Sequence, residues 1–528
     1  MDSTSGRRIY EGENALNTQV LIIGGGATGT GLARDLALRG VQSILVEKGD
    51  LNSGASGANH GLLHSGGRYV ASDPETAKEC REEGKILKQV ASNCIENTGG
   101  LFVAVEGDDE KYAADFPDLC SRCGIQAREL DPKEARELEP ALSPKVIAAY
   151  EVEDASIDPF MLSIANIDQA LSLGCSLLCH TRVVGFECRD RRIRTAHLKN
   201  TETGEDIIVE AEQVVNATGA WAGEVAALAG ISIDLLYSKG SLLITDNRIT
   251  TRVVNRLRPS SDGDILVPGG TVSLLGTTSI RIDSLDDIRP TIEEMDNIID
   301  QGAAAIPALK KIRYIRAYSG VRPLVASQSA GDDRSVSRSF ALLDHARDGL
   351  ENFATITGGK LSTYRYMAEK TADLVCTRMG VSKPCVTRTE PLPPSETSRW
   401  TEPGLAAKEW IKKGAPEDLI LCECEMVPRS VVDRIVTSIR EQGDRANLRG
   451  IGLRSRIGKG TCQGAFCGVR ITAHMYDEGE LHADEGLFDL RRFLNGRWKG
   501  IRPILWDGSL IQEELQEAMH CGLFGLEL

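Results

Sequence analysis

At 528 residues, the chain has room for about three domains at roughly 100–200 residues each. Its 41% hydrophobic and 26% charged content excludes wholesale disorder. A net charge of −15, from 61 Lys+Arg against 76 Asp+Glu, argues against a surface that binds nucleic acid or anionic lipid non-specifically, though not against a small basic pocket.

Residues 1–17 read as a polar extension without the apolar core of a signal peptide. No apolar run along the chain approaches the ~20 residues that cross a bilayer, so a cytosolic chain with no transmembrane segment is expected. Residues 18–49 read as a strand–helix–strand unit. Val20–Ile23 is a buried strand, Gly24–Gly29 a turn, Thr30–Leu38 a helix stopped by Gly40, and Ile44–Glu47 the second strand. Gly24-x-Gly26-x-x-Gly29 matches the dinucleotide fingerprint. Its first glycine allows the tight turn, its second lets a pyrophosphate approach the backbone, and its third lets helix and strand pack closely. Glu47 ends the second strand 23 residues after Gly24, where a carboxylate accepts ribose hydroxyls.

Asn52–Gly67, rich in Gly, Ser, Ala and His, fits neither period and reads as a loop wrapped around a ligand. Alternating strands and helices follow to about residue 215, and Gln213–Gly219 forms a second strand–glycine element. Residues 239–280 alternate apolar and polar, as antiparallel strands of a substrate-covering sheet do. A third strand–glycine element, Ala354–Lys360, leads into a helix over Ser362–Met379. Three such elements far apart in the chain suggest one long dinucleotide held by several segments, which favours FAD and leaves NAD open. Clustered prolines mark residues 386–416 as an extended linker. A cysteine-bearing module over 417–475 and a mostly helical tail over 476–528 complete the chain.

The 14 cysteines of a cytosolic chain are not a disulfide scaffold. Four stand out: Cys422-x-Cys424 and, after 37 intervening residues, Cys462-x4-Cys467. Four thiolates suit an Fe–S cluster or tetrahedral zinc, and Cys-x-Cys is unusually tight for zinc. Cys120-x-x-Cys123 lies in a polar stretch without a thioredoxin-like pattern around it and reads as structural.

Gly57-Ala58-Asn59-His60-Gly61-Leu62-Leu63-His64-Ser65-Gly66-Gly67-Arg68-Tyr69 resembles the flavin-ring loop of the FAD-dependent glycerol-3-phosphate dehydrogenases. Ala317–Leu324, Thr357–Arg365, Lys239–Ile244 and Leu274–Thr278 look like the same family. Over roughly residues 18–528 the likeness is to the catalytic A subunits of its anaerobic, membrane-associated type. The cysteine pattern resembles the [2Fe–2S] domain of bacterioferritin-associated ferredoxin, which those subunits carry.

The resemblance implies an α/β and α+β protein. Residues 18–385 would form a Rossmann-like FAD domain of D-amino-acid-oxidase type with an interleaved antiparallel-sheet substrate domain, followed by the Fe–S module and helical tail. It implies oxidation of sn-glycerol 3-phosphate to dihydroxyacetone phosphate by hydride transfer to FAD. Carried over by position, Arg68, Tyr69, Arg322 and Lys360 bind substrate, and His64 and Arg322 stand at the reacting centre. Gly24, Gly26, Gly29, Glu47, Ser56, His60, Gly219, Gly359 and Thr363 hold FAD, and Cys422, Cys424, Cys462 and Cys467 hold a [2Fe–2S] cluster. Electrons would pass through the cluster to flavin/Fe–S and membrane-anchoring partner subunits and then to a quinone, at the inner face of the cell membrane. One departure concerns the base: simpler single-subunit relatives have His after the Lys-Gly-Ser motif, and here that position is Leu242.

The chemistry agrees. A phosphate monoester carries nearly two negative charges, which arginine forks and a lysine ammonium bind. Blander roles compete: an ion pair for Arg322, a helix start for Lys360, loop hydrogen bonds for His60 and His64, packing for Tyr69. Two rival functions stay open. One is an FAD enzyme of 2-hydroxy or amino acids on the same fold, and the other is a non-catalytic electron-relay subunit.

Overall fold

The computed structural model describes residues 15–286, 288–325, 339–393, 411–412 and 415–527. Most of the expected N-terminal extension and of the 386–416 linker therefore lies outside the described residues.

Five parallel strands form the heart of the first sheet, in the order Ser176–Leu178, Ser43–Val46, Leu16–Ile23, Asp206–Asn216, Phe353–Gly358, with Phe340–Asp344 antiparallel at the edge. Leu16–Ile23 is the central one: Ile22 faces Val215 on one side and Leu45 on the other. Burial from both faces explains why its second half is an unbroken apolar run rather than an alternating one. The register also aligns the ends of the three strand–glycine elements, so the turns at Gly24, Gly219 and Gly358 meet at one edge of the sheet. Ligands bind at that carboxyl edge in open α/β sheets.

The first helix spans Ala27–Leu38, three residues longer at its start than the sequence indicates. Gly26 is extended and Thr30 N–H already bonds to its carbonyl at 3.0 Å, so the turn passes into helix with no intervening residues. This helix packs on Pro159–Ser172 and on Tyr364–Met379. The latter is preceded by a 3-10 turn, Leu361–Thr363, where continuous helix was expected.

The second sheet has nine strands. Its longest pair, Leu235–Thr245 with Tyr314–Val325, sets Ser238 opposite Arg322, Gly240 opposite Gly320 and Leu242 opposite Tyr318. The antiparallel pattern expected for 239–280 holds, except that Val253–Arg256 runs parallel to Gly100–Val105 and so joins the sheet to its earlier half. The Asn52–Gly67 loop is irregular apart from a 3-10 turn at Ala55–Gly57 and a two-residue strand, Leu62–Leu63.

The cysteine-bearing region is a short hairpin, Ile420–Cys422 with Val427–Pro428, and the helices Arg429–Glu441, Leu448–Leu453, Cys467–Asp477, Glu485–Ile501 and Asp507–Phe524. One apolar cluster joins Cys422, Val432, Ile435 and Ile471 to Leu490, Phe493 and Leu526. The stretch read as a separate tail thus shares the core of the module.

Candidate functional site

A cavity of about 700 Å³ opens between the two sheets. Its nucleotide-like end is backbone. Gly24 has φ +113°, and a Cβ there would lie 2.6 Å from the Ala217 carbonyl oxygen, so only glycine fits. A Cβ on Gly26 would meet Ser56 Oγ at 2.9 Å, and Ser56 Oγ accepts from Ala27 N–H at 3.0 Å. Gly26 itself caps nothing and the first helical turn has no acidic residue, so the positive end of the helix faces the cavity and suits a pyrophosphate. Glu47 is buried, its two oxygens accepting from Gly25 N–H (2.8 Å) and Gly49 N–H (2.9 Å). Burial pushes its carboxyl above the usual range. Each oxygen keeps a second lone pair, so the carboxylate can still accept ribose hydroxyls. This donor and acceptor set fits a dinucleotide.

Of the expected nucleotide residues, Gly24, Gly26, Glu47, Ser56, His60, Gly219 and Gly359 line the cavity. Gly29 and Thr363 do not. A Cβ on Gly29 would run into the Gly24 carbonyl oxygen, so its role is to let the helix lie on the turn. Thr363 is buried beneath the wall, its Oγ1 bonded to the Lys360 backbone; it shapes the Gly359–Lys360 corner. Sequence reasoning missed Lys48 and Trp221, whose ammonium and ring stack at 3.6 Å on the cavity rim. Burial pulls the Lys48 pKa down.

At the opposite end the wall is side chains: His64, Arg68, Tyr69, Leu242, Arg322 and Lys360. His64 stands edge-on to Tyr69 (centroids 5.4 Å) and to His60 (5.9 Å), and the Lys360 ammonium lies 5.0 Å from the Tyr69 ring centroid. Arg322 donates to Thr277 Oγ1 at 2.6 Å and to the Thr278 carbonyl at 3.2 Å. Its guanidinium occupies the space a side chain at Gly240 would fill. Strand alternation explains the Lys239–Leu242 motif. Gly240 and Leu242 face the cavity, whereas Lys239 and Ser241 turn away to Glu294, at 2.9 and 2.7 Å.

Arg68 also lines the cavity, but its guanidinium is in a buried ion pair with Asp264 and donates to the Arg256 carbonyl at 3.0 Å. Its charge is met by protein before any ligand arrives. Nothing in the sequence pointed to Asp264, 196 residues away.

The four late cysteines converge. Cys462 neighbours Cys424 and Cys467, and Cys467 also neighbours Cys422. The neighbouring thiols hold the Cys462 thiol far below its usual range and push Cys424 and Cys467 up. Among the described residues no group of three or more His, Cys, Asp or Glu is placed so that it could hold a metal ion. Cys120 and Cys123 are buried beside Phe116 and Tyr69, and burial pushes both thiols up, Cys120 to about 12. They are packing residues.

Residues 19–374 match the FAD dependent oxidoreductase (DAO) family. The chain is 43% identical to the A subunit of the anaerobic glycerol-3-phosphate dehydrogenase of Escherichia coli, over 97% of each chain. It is 39% identical to the A1 subunit of the anaerobic glycerol-3-phosphate dehydrogenase of Haloferax volcanii, over 95% of this chain and 89% of that one. Among solved structures, the glycerol-3-phosphate dehydrogenase from Bacillus halodurans complexed with FAD superposes with a TM-score of 0.62 at 20% identity, covering 93% of this chain and 96% of that one.

Proposed function

Because the chain belongs to the FAD dependent oxidoreductases, and among them to the family of the anaerobic glycerol-3-phosphate dehydrogenase A subunits, we propose that it oxidises sn-glycerol 3-phosphate to dihydroxyacetone phosphate. One observation carries this reading. Arg322 and Lys360 line the same cavity whose far end is the Gly24–Glu47 turn.

FAD, when bound, supplies the hydride acceptor for the substrate C2 carbon. The uncapped start of the Ala27–Leu38 helix would face its pyrophosphate, Glu47 would hold its ribose hydroxyls, and His60, Gly219 and Gly359 would line its remaining length. Ser56 buttresses the turn. On the substrate side, Arg322 binds the phosphate as a fork that Thr277 and Thr278 hold in orientation, and Lys360 adds a point charge. Arg68 supports that wall through Asp264 and Tyr69 packs beneath Lys360. His64, buried beside Tyr69, accepts the C2 hydroxyl proton on a ring nitrogen. Leu242 contributes an apolar wall that keeps water away from the reacting carbon.

The spacing Cys422-x-Cys424 and Cys462-x4-Cys467 and the convergence of these four residues support a [2Fe–2S] cluster on them. Residues 18–385 then act as the oxidoreductase unit, 386–416 as linker and 417–475 as the cluster-binding unit. No helix among the described residues is long and apolar enough to cross a membrane. Delivery of electrons to a quinone thus falls to partner subunits that hold the chain at the inner face of the cell membrane.

Kinetics of Arg322→Ala and Lys360→Ala test the phosphate site. Each should lower kcat/KM for glycerol 3-phosphate by about tenfold to a hundredfold, the loss of one charge-assisted contact of about 1.5–3 kcal/mol, with little change toward glycerol. Wild-type kinetics in both variants would overturn the assignment. An amino-acid or 2-hydroxy-acid oxidase needs one cation for a carboxylate, so a second cation at this end counts against that rival.

A further inference from the structure

The turn that forms the ribose end of the cavity is gripped from outside by the cysteine-bearing region. Glu47, Lys48, Ser53, Gly54, Ala55, Ser56 and Ala58 line the cavity. The intervening residues are tied to the fingerprint, since Asn52 N–H donates to the Gly25 carbonyl at 3.0 Å and Gly49 N–H to Glu47 at 2.9 Å. Asp50 points the other way. Its carboxylate meets Arg454 Nη1 at 3.1 and 3.3 Å, and both side chains are buried.

Arg454 ends the Leu448–Leu453 helix and donates also to the Gly450 carbonyl at 3.2 Å, so its aim is set by its own helix. A Cβ on Gly450 would come within 3.4 Å of Asp50 Oδ2, which shows how closely the two regions approach. Two further cations of the same segment seat nearby. The Lys459 ammonium lies 4.1 Å over the Phe160 ring, and that ring is 3.1 Å from the Cβ position of Gly57. Arg456 faces Asp158 at 3.8 Å, the residue that caps the Pro159–Ser172 helix beneath the turn.

We propose that Arg454 is a positioning residue for the flavin, holding the Glu47–Ala58 turn in its binding shape through Asp50, so that docking of the cysteine-bearing region and FAD binding reinforce each other. The inference rests on the cavity being the FAD site. Removing Arg454 leaves Asp50 buried without its main countercharge, which is costly in place. The turn relieves that cost by moving Asp50 toward water, and Glu47 moves with it. Linkage makes the coupling reciprocal: whatever Arg454 contributes to FAD affinity, FAD contributes to the docking of the region that carries Arg454.

The test is FAD affinity of the full-length, flavin-depleted chain, followed by flavin fluorescence. Arg454→Met should weaken FAD by about tenfold, or about 1.4 kcal/mol, and Arg454→Lys should recover most of the loss. Asp50→Asn, which keeps the shape and removes the charge, should move the same way and stands in if Arg454→Met does not fold. The control is Arg470→Met, which breaks the Glu423 pair on the exposed side of the same region and should bind FAD like the wild type. Amide exchange supplies the reciprocal reading, since FAD should slow exchange over residues 448–457 in the wild type and not in Arg454→Met. Folded Arg454→Met and Asp50→Asn that bind FAD within about twofold of the wild type would overturn the proposal, because a coupling that small is below about half a kcal/mol. A wild-type chain that binds no FAD at all would instead overturn the reading of the cavity on which it rests.

Discussion

At the nucleotide end the cavity wall is backbone, with the Gly24 and Gly26 turn, the open helix start at Ala27 and a carboxylate already held by two amides. At the substrate end it is made of long side chains from three distant segments, carrying Arg68, Arg322 and Lys360. Recognition by backbone tolerates almost no added atom, because the space is defined by neighbouring carbonyls that cannot give way. Recognition by side chains is graded, since each cation contributes its own contact and loses only that when removed.

The largest effect should therefore come from the smallest residue. Gly24→Val places a Cβ 2.6 Å from the Ala217 carbonyl at φ +113°, and the purified chain should carry no flavin, as measured by nucleotide released on denaturation. Flavin at wild-type content would break the contrast between the two ends.

Next in size is Arg68→Ala. If Arg68 were only a phosphate ligand, its loss would resemble that of Arg322. Because it is paired with buried Asp264, which keeps Arg258 as a second partner at 2.7 Å, the expected loss is in folding stability, about 1.5–3 kcal/mol for one charge-assisted contact. Denaturant melts should show it, while a drop in kcat/KM with unchanged stability would return Arg68 to the substrate-binding set.

The smallest effect on either end should follow Cys462→Ser. Flavin reduction by glycerol 3-phosphate in rapid mixing should stay near the wild-type rate, while turnover with an electron-accepting partner falls and the EPR signal expected of the proposed cluster is absent. Undiminished turnover with that partner would make the cysteine site structural.

The same contrast governs what could be read from the sequence. The turn is local, so Gly24, Gly26 and Glu47 appear at fixed spacing and their place in the cavity is legible from the chain alone. Gly29 shares that spacing but acts one layer back, against the Gly24 carbonyl, because helix–strand packing and ligand approach leave the same glycine signature. Arg322 and Lys360 carry no spacing signal. The resemblance to known dehydrogenases pointed to them, and so to their roles, but not to their neighbours. The Asp264 partner of Arg68, the Thr277 and Thr278 hold on Arg322, and the Trp221 under Lys48 depend on strands and loops meeting across the fold. Nor could apolar periodicity reveal that Leu490 and Phe493 complete the core of the cysteine-bearing region, since an amphipathic helix does not say what it packs on.

The measurement that bears most directly on the account is the visible spectrum of the purified protein before and after anaerobic addition of glycerol 3-phosphate. The oxidised flavin bands should bleach with this substrate, far more slowly with glycerol, and persist with a neutral amino acid, because only the phosphate engages both Arg322 and Lys360. A flavin that stays oxidised with glycerol 3-phosphate, or that bleaches equally with an amino acid, would contradict the assignment of this cavity.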